Sequence, residues 1–102
     1  MTETIALITG GSRGLGRNAA LHLARQGVGV IITYLSRAEE AAAVVADIEA
    51  LGGKAAALQL DTGEVAQFTI FAGQLGDTLD SVWGRKTIDF LLNNAGMGIS
   101  AA

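Results

Sequence analysis

The chain has 102 residues, half of them hydrophobic, with 7 basic and 10 acidic side chains, one histidine and no cysteine or proline. That length fits one small domain. A disulfide framework and a thiolate metal site are excluded. No apolar run approaches the ~20 residues of a membrane-spanning helix, and MTETIALITGG lacks the basic stretch that opens a secretory signal. Together these features read as a cytoplasmic protein with no membrane partner. The net charge of −3 is uneven: no Asp or Glu stands between Thr4 and Ala38, where Arg13, Arg17, Arg25 and Arg37 lie, and the acids concentrate from Glu39 onward. A locally cationic third points to a small anionic ligand rather than nucleic acid. Chance is the alternative at such small counts.

Thr4 to Thr9 (TIALIT) reads as a buried strand and runs into a glycine-rich turn. Gly14 to Gln26 is helical, with Leu15, Ala19 and Leu23 on one face and Gly27 as its stop. Val28 to Tyr34 is a second strand, rich in β-branched residues. Ser36 and Glu39 form a capping box that opens a helix to about Leu51, closed by Gly52 and Gly53. Lys54 to Leu60 is a weaker, alanine-rich strand. Asp61 with Glu64 starts a third helix, which carries Val65, Phe68, Phe71, Leu75, Leu79 and Val82 at spacings of three and four. Ile88 to Leu92 is a fourth strand, and NNAG follows it. Largely apolar strands alternating with amphipathic helices predict an α/β fold over residues 1–102. Its architecture is a Rossmann-type, doubly wound parallel sheet with right-handed crossovers.

The turn TGGSRGLG spans Thr9 to Gly16 between strand and helix. Free backbone N–H groups and the positive end of a helix dipole favour an anion there, and glycine lets the backbone approach a pyrophosphate. The spacing Gly10-x-x-x-Gly14-x-Gly16 differs from G-x-G-x-x-G, and no Gly-Lys-Ser/Thr follows as in a P-loop. A merely tight connection is the alternative. NAD-binding folds usually hold an acid ~20 residues on, at the end of the second strand. Here Tyr34 and Leu35 occupy that place, Ser36 and Arg37 follow, and Arg13 lies in the turn itself. Missing acid and nearby guanidinium groups favour a 2′-phosphate, hence NADP (NADPH) over NAD. Arg37 as a solvated helix-start residue and Ser36 as a cap are the structural alternatives. His22 reads as structural, Trp83 as packing and Tyr34 as the finish of a strand.

With TGGSRGLG at the first turn and NNAG after the fourth strand, the chain resembles the short-chain dehydrogenase/reductase family along essentially its whole length. The likeness is greatest to the NADP-preferring, 3-oxoacyl-carrier-protein-reductase-like branch. The resemblance implies that Gly10, Ser12, Arg13, Gly14, Leu15 and Gly16 form the coenzyme turn, with Arg13 at the basic position tied to NADP. It implies that Asp61 and Thr62 lie near the adenine, although Asp61 serves equally as an N-cap. It implies that Asn93, Asn94, Ala95 and Gly96 support the sheet and line the coenzyme ribose. Turn closure by the asparagines is the alternative.

The family's catalytic Ser, Tyr and Lys have no counterpart: the only tyrosine is Tyr34, Ala38 stands four residues on, and Ser100 follows NNAG too closely. The expectation is therefore the coenzyme-binding half of an NADP(H)-dependent oxidoreductase acting on a small carbonyl or alcohol substrate, inactive alone and without nucleic-acid partners. The resemblance implies a homo-oligomer, dimer or tetramer. In the family the fourth strand is interior, so IDFLL is expected to form an apolar edge that destabilises or self-associates an isolated fragment. A regulatory nucleotide-binding module and an adenosylmethionine-dependent methyltransferase are the competing readings. The latter leaves NNAG unexplained and lacks an acid for its ribose.

Overall fold

A computed structural model describes residues 4–10, 14–35, 37–60, 65–85 and 87–93. Its elements are β1 (Ile5–Thr9), α1 (Gly14–Arg25), β2 (Gly29–Tyr34), α2 (Ala38–Ala50), β3 (Ala55–Gln59), α3 (Val65–Thr78) and β4 (Phe90–Asn93). The strands form one sheet in the order β3-β2-β1-β4, and every pairing is parallel. The central strands β1 and β2 are buried almost throughout, as both faces are covered.

One face carries α1 and α2. Gly16, Ala20 and Ala24 form the buried stripe of α1, while Ala41, Val44 and Ile48 form that of α2. They pack on Ile8, Val30, Ile32 and Ala55. Small residues let the helix axis come close to the pleated sheet. The buried side of α1 therefore lies beside, not on, the Leu15–Ala19–Leu23 row, and Leu15 is 80% exposed. The opposite face carries α3 and the turn that follows it: Phe71 and Leu79 close over Ile5, Leu7, Ile31 and Leu60, with Leu75 and Trp83 half-buried against them. Trp83 is a packing residue, as expected from its position in the helix.

Two helix boundaries differ from the sequence reading. The capping box of Ser36 and Glu39 is corrected: Arg37 is the N-cap of α2 and makes no side-chain cap bond. Ser36 itself lies outside the described residues. Arg37 Nη1 instead stands 3.5 Å from Glu40 Oε2, and Glu39 and Glu40 occupy the first turn, where the helix dipole favours acids. The third helix does not stay α-helical to Val82. It widens into a π turn over Leu79–Trp83 and ends at Gly84, whose φ of 66° is the left-handed conformation glycine takes most readily. The predicted start at Asp61 and Glu64 lies outside the described residues.

Strand β4 is an edge, as expected, with Leu91 56% and Leu92 40% exposed. At its beginning a clasp holds it to β1. Ile5 N donates to Asp89 Oδ2 at 2.7 Å, and Asp89 N donates to Ile5 O at 2.8 Å. Arg85 also donates to both carboxylate oxygens, at 3.1 and 3.3 Å. The Arg85 guanidinium, followed by the Ile5 N–H, holds the Asp89 carboxyl below its ordinary range.

Candidate coenzyme site

Parallel pairing brings the C-terminal ends of all four strands to one edge of the sheet. The helices after β1 and β2 cover one face and the crossover to β4 covers the other. The C-terminal ends of β1 and β4 thus flank the point where the winding reverses, which is where open α/β sheets bind ligands. The register fixes this meeting: Thr9 of β1 lies opposite Asn93 of β4. Thr9 and Asn93, which open the glycine turn and NNAG in the sequence, thus stand side by side though 84 residues apart.

Gly10 and Gly14 bracket the turn with φ of 67° and 64°, a region side-chain-bearing residues rarely adopt. Space around Gly14 is open on the side where a Cβ would project. The backbone angle, not crowding, therefore explains its glycine. Helix α1 begins at Gly14 and has no acid in its first turn, so nothing in that turn opposes an anion at its positive end. Leu15 is exposed beside it, and Gly16 is buried toward the sheet. Gly10 N donates to Thr33 Oγ1 at 3.0 Å.

At the end of β2, Tyr34 packs partly into the core under α1 and α2, as a strand-finishing residue does. Arg37 is well exposed and pairs with Glu40. Exposed ion pairs contribute only about 0–1 kcal/mol, so this contact leaves the guanidinium available to a doubly charged phosphate. The segment between them is braced from the neighbouring strand. Gln59 Nε2 donates to Leu35 O at 2.9 Å, and Leu60 N donates to Tyr34 O at 2.9 Å.

Among the sequence-predicted site residues, Gly10, Gly14, Leu15, Gly16, Tyr34, Arg37 and Asn93 thus lie at or beside this edge. Ser12, Arg13, Ser36, Asp61, Thr62, Ala95 and Gly96 lie outside the described residues. Thr33 and Gln59 were not legible as site residues. Each is a single polar residue in a strand, and only the sheet register shows that their side chains reach the backbone leaving β1 and β2. His22 is exposed on α1, 3.3 Å from Gln26 Nε2. Among the described residues no group of three or more His, Cys, Asp or Glu could hold a metal, and no helix is long and apolar enough to cross a membrane.

A parallel sheet covered by helices on both faces, with its winding reversed between β1 and β4, defines a Rossmann-like class of α/β protein. Comparison with known proteins narrows this. The short chain dehydrogenase family profile matches residues 4–102, and the chain belongs to that family. It is 40% identical over 93 residues to a probable tetrahydroxynaphthalene reductase of Zymoseptoria tritici, covering 91% of this chain and 33% of that protein. It is 40% identical over 97 residues to a 3-oxoacyl-[acyl-carrier-protein] reductase of Synechocystis sp., covering 95% of this chain and 37% of that protein. Among solved structures, the angucycline C-6 ketoreductase LanV with bound NADP superposes with a TM-score of 0.83 at 33% identity. That match covers 88% of this chain and 35% of the other. The chain therefore spans about a third of the length of these relatives.

Proposed function

We propose that this chain is the coenzyme-binding part of an NADP(H)-preferring oxidoreductase that reduces a small carbonyl compound or oxidises the corresponding alcohol. The observation that carries the reading is the register that sets Thr9 and its glycine turn beside Asn93 at the reversal point of the sheet. Glycines with positive φ and an α-helix opening without an acid fit a pyrophosphate, and an arginine near the end of β2 in place of a carboxylate fits a 2′-phosphate.

In this reading Ser12, Gly14, Leu15 and Gly16 hold the pyrophosphate through backbone N–H groups, and Gly10, whose N–H is taken by Thr33, turns the chain toward them. Arg13, Ser36 and Arg37 bind the 2′-phosphate, with guanidinium groups offering paired donors. Tyr34 closes the same strand end. Asp61 and Thr62 border the adenine, and Asn93, Ala95 and Gly96 border the ribose. The bound nicotinamide supplies hydride transfer. This chain contributes binding and orientation, because no Tyr-x-x-x-Lys is present to move a proton. The relatives named reductases support the reaction class, and the LanV complex supports a nicotinamide dinucleotide. A cytoplasmic homo-oligomer completes the proposal.

Calorimetric titration of the full-length protein with NADPH and NADH tests it. Tighter binding of NADPH is expected, and Arg37→Ala should remove about tenfold of that preference, the effect of losing one charge-assisted hydrogen bond. Tighter binding of NADH, or an unchanged ratio in the variant, contradicts the 2′-phosphate assignment. Binding of neither contradicts the site.

A further inference from the structure

The core is apolar with two exceptions among the described residues: Thr9 and Thr33 are the buried polar side chains, 8% and 2% exposed. Both stand on the α3 face at the C-terminal ends of the two central strands, one residue past the last β1–β2 register pair, Ile8 with Ile32. Strand β2 reads Val30, Ile31, Ile32 before Thr33. Valine would fill the same volume there, suit a strand as well and avoid burying a hydroxyl. A departure from a local preference in an otherwise consistent strand marks a position with another task.

The hydroxyl is used. With φ of 67°, Gly10 turns the chain out of the extended backbone of β1, while its N–H still faces β2. Thr33 Oγ1 accepts it at 3.0 Å, joining segments 23 residues apart. The threonine is itself fixed, because a β-branched side chain has few χ1 choices and this one is enclosed. The bond therefore fixes the Gly10 peptide against β2 at the end of β1.

We propose that Thr33 is a positioning residue for pyrophosphate recognition: its hydroxyl holds the Gly10 N–H and thereby aims the glycine turn. This rests on the coenzyme reading above. Thr33 touches no ligand in this account and acts through Gly10.

Two ligands separate positioning from general support: 2′-phospho-ADP-ribose, which carries a pyrophosphate, and adenosine 2′-monophosphate, which does not. Each is titrated into the full-length protein, Thr33→Val and Thr33→Ser. Thr33→Val should weaken the pyrophosphate ligand about tenfold, the effect of losing one hydrogen bond that orients the turn. Its affinity for adenosine 2′-monophosphate should stay within about twofold, and Thr33→Ser should stay within about twofold of wild type for both ligands. Thr33→Cys keeps the volume with a weaker acceptor and should show the same selective loss if the valine variant does not fold. Equal weakening of both ligands, no weakening, or a serine variant as impaired as valine overturns the proposal. A wild-type protein that binds neither ligand overturns the coenzyme reading itself, whereas one that binds both with an unaffected valine variant overturns only the role of Thr33.

Discussion

The two ends of the sheet are built from different chemistry. At the N-terminal end of the strands, a charged clasp adds to backbone bonds: Asp89 accepts from Ile5 N and Arg85, Gly29 N donates to Thr4 O at 2.7 Å, and Val30 N donates to Lys54 O at 3.1 Å. Helices α1 and α2 close there through paired C-terminal bonds at Gly27 and Gly52, whose φ values are 87° and 88°. At the C-terminal end stand positive-φ glycines, exposed Leu15, exposed Arg37 and one hydroxyl bond from Thr33. One end fastens the sheet, while the other is the end at which the proposed function places an anion against backbone and guanidinium groups. Stability and recognition are thereby separated, and substitutions at the two ends should give different signatures.

The largest expected effect tests the core that both ends share. Ile32→Ala removes a fully buried side chain beneath α1 and α2 and should lower the unfolding free energy by about 2–5 kcal/mol in urea titration. The Asp89 clasp comes next. Its folded pKa is depressed, so its contribution is complete above the unfolded value of about 3.9 and fades as pH falls through the lower folded value. Asp89→Asn should lower the melting midpoint at neutral pH and flatten its decline in acid below that value, while NADPH affinity stays as in wild type. An affinity loss matching the stability loss would dissolve the distinction between the ends.

Gly14→Ala works from the other end. With φ of 64° and open space for the new methyl, its penalty is the left-handed backbone alone, roughly 1–2 kcal/mol. A weakened coenzyme site should accompany it. The smallest effect is expected at Arg17 and Asp47, 2.9 Å apart and both substantially exposed between α1 and α2. Asp47→Ala should change stability by no more than about 1 kcal/mol and leave NADPH binding unaltered.

The alternation of parallel strands and helices follows from features visible in the chain: four short apolar runs, three helical patterns and glycine stops at Gly27 and Gly52. Local periodicity carries such information well. It carried less about helix faces and ends. Leu15, Ala19 and Leu23 look like the natural core row of α1, but contact with a sheet selects the smaller Gly16, Ala20 and Ala24. Ser36 and Glu39 match a capping pattern, yet the chain begins the helix one residue later with an Arg37–Glu40 pair. A π turn at Leu79–Trp83 has no distinct sequence pattern, because it preserves the apolar spacing of the helix it ends. The glycine turn and Arg37 stand out as candidate site features from composition and position. The Asp89 clasp does not, because Asp89 meets a backbone N–H 84 residues away. Thr33 and Gln59 escaped for the same reason: their partners are the Gly10 and Leu35 backbones, defined only once the strands are in register.

Hydrogen–deuterium exchange of the full-length protein, with and without saturating NADPH, tests the separation of the two ends most directly. The expected result is slowed exchange over residues 10–16, 35–37 and 93–96, with little change over residues 27–29, 52–54 and 85–89 at the far end of the sheet. Protection centred on the Asp89 end, or none at the glycine turn, would contradict the assignment of the coenzyme to the C-terminal edge.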